Sequence, residues 1–227
     1  MARAVLCPSA PIPQSEAALV VDVIRATTTA LAFFMAGALE VWFAPDHERA
    51  LALKKEGFLV AGETGGLKPA GFDLGNSPRE ALSAPVRGKR VVMSTTNGTR
   101  AAHRAQKAAK RVALAALWNL SAARRFGEGF SPLVVVAAGK EGGLGIDDAY
   151  VAGGLIAGEA EGDEARLARA LWERGPDPFR VLADSEAARA LMRVGLFADV
   201  AAASEVDKTE LVPTLVRVEG PYLVFAV

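Results

Sequence analysis

Val91-Val92-Met93-Ser94-Thr95-Thr96-Asn97-Gly98-Thr99-Arg100 is the stretch on which the fold turns. Val91 to Met93 is an apolar run of the kind that forms a buried strand, and Arg90–Ser94 is read as that strand. Arg100 to Lys110 is rich in Ala, Arg, Lys and Gln and reads as a helix, with Thr99 expected at its N-cap. The six residues between, Ser94 to Thr99, therefore join a strand to a helix. Such a turn offers free backbone N–H groups and the positive end of a helix dipole, and both favour an anion. Gly98 permits close backbone approach. Four hydroxyls and the Asn97 amide add hydrogen-bond capacity, so Thr95, Thr96, Asn97, Gly98 and Thr99 are candidate phosphate-binding residues. No Gly-Lys-Ser/Thr follows, which excludes a P-loop.

The same plan recurs on either side. Val20–Ala36 and Val134–Ala157 also run from an apolar strand through a polar or glycine-rich loop into a helix. Further strands are expected at Leu39–Phe43, Phe58–Ala61 and Val112–Leu117, and as a pair around Gly220-Pro221. Ser77-Pro78-Arg79-Glu80 carries a capping box with Pro at N1 and opens another helix. This alternation predicts an α/β fold in three layers, α/β/α, built from repeated strand–loop–helix units. A single domain over residues 1–227 is expected, with two intertwined similar halves as a variant of that reading.

The chain is 51% hydrophobic and 23% charged, with 26 basic residues against 26 acidic ones. Zero net charge argues against a nucleic-acid or membrane-surface binder. One cysteine, Cys7, leaves no intramolecular disulfide, and two histidines make a His/Cys zinc site a poor expectation. No apolar run reaches membrane length and no signal-peptide pattern opens the chain, so a cytoplasmic protein is expected. Both histidines, His47 and His103, are read as solvated.

In an open α/β sheet, ligand groups come from loops beyond the C-terminal ends of the strands. The unusual polar residues sit in such loops: Asp22, Arg25, Thr27 and Thr28; Glu63, Asp73, Asn76 and Ser77; Thr95 to Thr99; and Asp147 with Asp148. Carboxylates suit a hard cation, an arginine suits an oxyanion, and hydroxyls with an amide complete a cradle. This set suits metal-assisted phosphoryl transfer. Asp22, Arg25, Glu63 and Asp147 are the candidate catalytic residues. Mg²⁺ is the expected cofactor, on carboxylates drawn from Asp22, Glu63, Asp147 and Asp148. Thr27, Thr28, Asn76 and Ser77 join the candidate phosphate cradle. The simpler reading of Asp147 and Asp148 is a pair of acids favoured by a helix N-terminus.

Val21-Asp22-Val23-Ile24-Arg25-Ala26-Thr27-Thr28-Thr29, Gly62-Glu63, Gly71-Phe72-Asp73-Leu74-Gly75-Asn76-Ser77-Pro78, Thr95-Thr96-Asn97-Gly98-Thr99 and Asp147-Asp148 together resemble the 2-phosphosulfolactate phosphatase family. The resemblance extends, more weakly, to Ser185, Leu191, Gly195 and Val212-Pro213. It implies Mg²⁺-dependent hydrolysis of (R)-2-phospho-3-sulfolactate to 3-sulfolactate and phosphate, as in coenzyme M biosynthesis. It also implies a three-layer α/β fold with polar residues contributed by several loops. Two alternatives stay open: a phosphatase for another small phosphorylated hydroxy acid, and an anion-binding regulator without catalysis. The expected partner is a small anionic phosphomonoester, and a homodimer is an open assembly state. A substrate with three anionic groups needs local positive charge, for which Arg25 ranks ahead of Lys68 and Lys140.

Overall fold

A computed structural model describes residues 1–227. Nine strands make one sheet: β1 (Ala2–Val5), β2 (Ser15–Val21), β3 (Glu40–Phe43), β4 (Leu59–Gly62), β5 (Arg90–Ser94), β6 (Ala109–Ala115), β7 (Leu133–Ala137), β8 (Thr214–Glu219) and β9 (Tyr222–Ala226). Ten helices accompany them: α1 (Ala26–Met35), α2 (His47–Ala52), α3 (Pro78–Ser83), α4 (Gly98–Gln106), α5 (Leu120–Glu128), α6 (Ile146–Leu155), α7 (Asp163–Arg174), α8 (Pro178–Ala183), α9 (Glu186–Arg193) and α10 (Ala198–Ala203). The fold is α/β with helices on both sheet faces, as the alternation of elements predicts.

Strand order is β1-β7-β2-β6-β8-β9-β3-β5-β4. It resolves into two parallel blocks, β1-β7-β2-β6 and β3-β5-β4. Three antiparallel steps, β6 to β8, β8 to β9 and β9 to β3, lie between them, so the blocks run in opposite directions. The junction is narrow, because β6 and β8 share a single bridge, Ala113 to Thr214. Each block buries residues on both faces, which is why its strands read as continuous apolar runs.

One apolar cluster contains side chains of both blocks together with α1 and α4: Val20, Leu114, Phe43 and Met93 meet Leu31, Phe33 and Ala102. The sheet thus folds around these helices. In α1, residues Ala26 to Phe34 are all buried. Its three threonines are tolerated there because their hydroxyls are satisfied: Thr27 donates to the Asp22 carbonyl at 2.9 Å, Thr28 to Val23 at 2.8 Å and Thr29 to Asn76 at 3.1 Å.

Three sequence expectations need correction. The helix after β5 starts at Gly98, so Thr99 lies inside its first turn rather than at the N-cap. His47 is bonded rather than free in solvent, with Nδ1 2.9 Å from Ser94 Oγ and Nε2 2.7 Å from Thr64 Oγ1. His103 is partly buried, and desolvation lowers its pKa. No helix is long and apolar enough to cross a membrane.

Candidate active site

The two blocks run oppositely, yet their C-terminal loops meet. The loops after β2, β4, β5 and β7 surround a cleft of about 270 Å³, with α9 as a largely apolar wall through Ala187, Ala190, Leu191 and Val194. Of the residues singled out by sequence, Asp22, Arg25, Glu63, Asn76, Thr96, Asn97, Asp147 and Asp148 line it. Gly98 lies at its floor, because a Cβ there would stand 2.5 Å from Asp22 Oδ2. Thr27, Thr28, Ser77, Thr95 and Thr99 make contacts beneath it. Lys140 and Arg193 line it as further cations.

The hydroxyls below the cleft hold its backbone. Thr95 Oγ1 accepts from the Thr99 N–H at 3.2 Å, and the Thr99 hydroxyl donates to the Thr95 carbonyl at 2.9 Å. These bonds fasten the start of α4. Thr27 does the same for Asp22: its hydroxyl accepts from the Asp22 N–H at 3.1 Å while donating to the Asp22 carbonyl. Short polar side chains at a helix start commonly turn back onto nearby backbone in this way.

The four candidate metal-binding carboxylates fall into two pairs. Glu63 accepts from the Thr96 N–H at 2.8 Å and the Gly66 N–H at 2.9 Å, one per oxygen. Asp148 accepts from the Val23 N–H at 2.8 Å and the Gly139 N–H at 2.9 Å, tying the β2 loop to the β7 loop. Both act as clamps. Asp22 spends one oxygen on the Ala26 N–H at 3.2 Å and keeps Oδ2 free of donors. Asp147, in the first turn of α6, meets only the backbone N–H groups of that turn, its own and that of Asp148, and opens on the cleft. The N-termini of α1, α4 and α6 bring Asp22, Asn97 and Asp147 to the same place.

Charge in the cleft is unbalanced. Burial pushes the Asp22 carboxyl up to about 7, with the Glu63 and Asp147 charges adding to the rise. Burial likewise raises Asp147 to about 6. Asp148 lies well above the ordinary carboxylate range, through burial and then the charges of Asp147 and Asp22, despite its two N–H donors. Arg25, whose charge partly offsets the rise at Asp22, is already paired with Asp199 at 2.7 Å. Lys140, the cation that acts on Asp147, is itself paired with Glu141 at 3.1 Å, so acids outnumber cations in the cleft and make a donor set suited to a hard divalent ion. No three acidic, His or Cys side chains form a closed ligand cage. Two open carboxylates suffice for Mg²⁺, which keeps several waters. The residues present would fit that ion, and Asp22 and Asp147 are the carboxylates that could hold it.

Sequence comparison decides what this arrangement belongs to. A model described as 2-phosphosulpholactate phosphatase matches residues 6–217. The chain belongs to the 2-phosphosulpholactate phosphatase family. Members of this family are named as phosphomonoester hydrolases, so the chain is an enzyme of that type. It is similar to a probable 2-phosphosulfolactate phosphatase of Thermus thermophilus, at 50% identity over 98% of both chains. It is also similar to proteins of the same designation from Deinococcus radiodurans, at 44% identity over 88% of both chains, and Thermotoga petrophila, at 34% over 96%. In this 2-phosphosulpholactate phosphatase family member, most of the motif strings bearing the resemblance border one cleft, whereas Asp73 lies away from it, paired with Lys54 at 2.6 Å and accepting from the Val60 N–H at 2.9 Å. Asp199 escaped notice in the sequence, because a lone aspartate in an Ala-rich segment carries no local signal.

Proposed function

We propose that the protein hydrolyses (R)-2-phospho-3-sulfolactate to 3-sulfolactate and phosphate, with Mg²⁺, as a step of the coenzyme M type. The observation that carries the reading is the convergence of two open carboxylates, Asp22 and Asp147, with Arg25 and the N-terminus of α4 on one cleft. The family supports the substrate. Asp22 and Asp147 would hold Mg²⁺, which when bound neutralises charge on the phosphoryl oxygens.

The remaining steps fall to the chain. The N–H groups at the start of α4, with the Asn97 side chain and Arg25, bind and orient the phosphoryl oxygens. Glu63 keeps the Thr96 and Gly66 backbone in place, and Asp148 keeps Val23 and Gly139 in place. Lys140, which is paired with Glu141 at 3.1 Å, and Arg193 line the cleft and are the cations that would meet the carboxylate and sulfonate of a three-carbon substrate. The apolar α9 face limits water on that side.

Donors matched to a sulfonate are left unpaired by an analogue lacking it. kcat/KM for phosphosulfolactate is therefore expected to exceed that for phospholactate by about 10²-fold or more. Phosphate release from both substrates, in Mg²⁺ and in excess chelator, tests the reading. Activity on phosphosulfolactate should vanish with chelation and return with Mg²⁺. Equal kcat/KM on the two substrates would overturn the named substrate, and full turnover in chelator would overturn the metal.

A further inference from the structure

We propose that Asp199 is a positioning residue for the phosphoryl-binding site, acting through Arg25 although it does not itself line the cleft. The inference rests on the phosphatase reading above. Asp199 lies in the first turn of α10, 174 residues from Arg25 in the chain, and is 1% exposed. Both of its oxygens are committed. Oδ2 accepts from Arg25 Nη1 at 2.7 Å, and Oδ1 accepts from Ser77 Oγ at 2.7 Å. Arg25 Nη2 donates to the Gly66 carbonyl at 2.6 Å.

Two anchors on two nitrogens fix both the place and the plane of a guanidinium. The three other N–H bonds of the group have no acceptor within the protein, on a side chain that lines the cleft. The anchoring matters because of what surrounds it. Arg25 shares the cleft with Asp22, Glu63 and Asp147, all acidic and close by. An unanchored guanidinium would fold onto one of these acids, removing a donor from the phosphoryl group and an oxygen from the metal. Asp199 holds it away from them. A buried ion pair adds little net stability, since desolvation opposes its attraction. Its geometry is what the site uses. Ser77 completes the assembly: its oxygen also accepts from the Glu80 N–H at 3.3 Å, so the start of α3 is fixed to the same carboxylate.

A kinetic double-mutant cycle in the full-length protein tests this, with phosphosulfolactate as substrate and a chromogenic aryl phosphate in parallel. Arg25→Ala is expected to lose about 10³-fold and Asp199→Asn about 10²-fold in kcat/KM. Arg25→Ala/Asp199→Asn should equal Arg25→Ala alone, because Asp199 acts only through the arginine. Added guanidinium ion should restore activity to Arg25→Ala and fail to do so in the double variant, which lacks the anchor. A purely structural Asp199 would move the melting temperature and leave this rescue intact. Should Asp199→Asn not fold, with its arginine left buried and unpaired, the rescue comparison still decides. Wild-type kcat/KM in Asp199→Asn, multiplicative losses in the double variant, or equal rescue with and without Asp199 would each overturn the proposal. Loss of wild-type turnover on phosphosulfolactate alone, with aryl phosphate still cleaved, would instead remove the named substrate and leave the cycle readable.

Discussion

Asp22→Asn is expected to lower kcat/KM by about 10³-fold and, in metal-free solution near pH 8, to make the protein more stable. Both effects follow from the position of one carboxylate. Asp22 is 6% exposed at the end of β2, with Oδ2 open to the cleft. Its carboxyl titrates at about 7 in the folded protein, mainly through burial, against 3.8 as the ordinary value. The folded state therefore holds this proton more tightly than the unfolded chain. The contribution of Asp22 to stability is fully present below about pH 4 and is lost as pH rises through 7. A shift of that size corresponds to at most about 4 kcal/mol, and relaxation around the charge reduces it to about 1–3 kcal/mol. Asn keeps the shape without the charge. The melting temperature of Asp22→Asn should exceed wild type by about 2–8 °C at pH 8 in chelator, with a smaller gap at pH 5. Mg²⁺ should narrow the gap by stabilising wild type alone. A variant that is less stable at pH 8, or that retains wild-type kcat/KM, would contradict this role.

Gly98→Ala is expected to cost both stability and activity, because the added methyl group would press on the site itself. A Cβ at Gly98 would stand 2.5 Å from Ala26 Cβ and 2.5 Å from Asp22 Oδ2. Neither neighbour can yield readily, because Ala26 belongs to the buried run of α1 and Asp22 is fastened by Thr27 and Ala26. The start of α4 must move instead, carrying Asn97 and the helix N–H groups with it. Overpacking of this kind destabilises by about 1–3 kcal/mol. A misplacement of about 1 Å in a positioned group can lower rate by about 10². Gly129→Ala is the control, since its added Cβ meets nothing closer than the Phe126 carbonyl oxygen at 3.4 Å. Near-normal stability and kcat/KM in Gly98→Ala would show that α4 need not lie so close to Asp22.

The strand–loop–helix units were legible because apolar runs and helix formers are local signals. Val91–Arg100 and the Ser77 N-cap illustrate this: Ser77 accepts from the Glu80 N–H, although the Glu80 carboxylate takes the Gly75 N–H at 2.9 Å rather than closing the expected capping box. β1 was not legible, because Ala2–Val5 is four residues long and sits at the sheet edge beside β7. The insertion of β8 and β9 between β6 and β3 has no local signal, since it depends on where the end of the chain returns. It is this insertion that sets the two blocks in opposite directions.

At the site, composition identified the residues better than their duties. Asp147 and Asp148 are adjacent, but successive positions on a helix point about 100° apart. Both border the cleft, but Asp147 opens on it while Asp148 spends its two oxygens on the Val23 and Gly139 amides. The hydroxyls of Thr95 and Thr99 satisfy nearby backbone, because helix starts need such partners. Asp199 was invisible because its partner Arg25 is distant in the chain and buried pairing leaves no spacing to read.

The most direct test of the cleft as the phosphoryl-transfer site is the crystal structure of the protein soaked with Mg²⁺ and orthovanadate. Vanadate is expected against the start of α4 and within hydrogen-bond reach of Arg25, with Mg²⁺ on Asp22 and Asp147. Vanadate held elsewhere, such as the outer cleft beside Ser77, Arg79 and Ser83, with Asp22 and Asp147 free of metal, would contradict it.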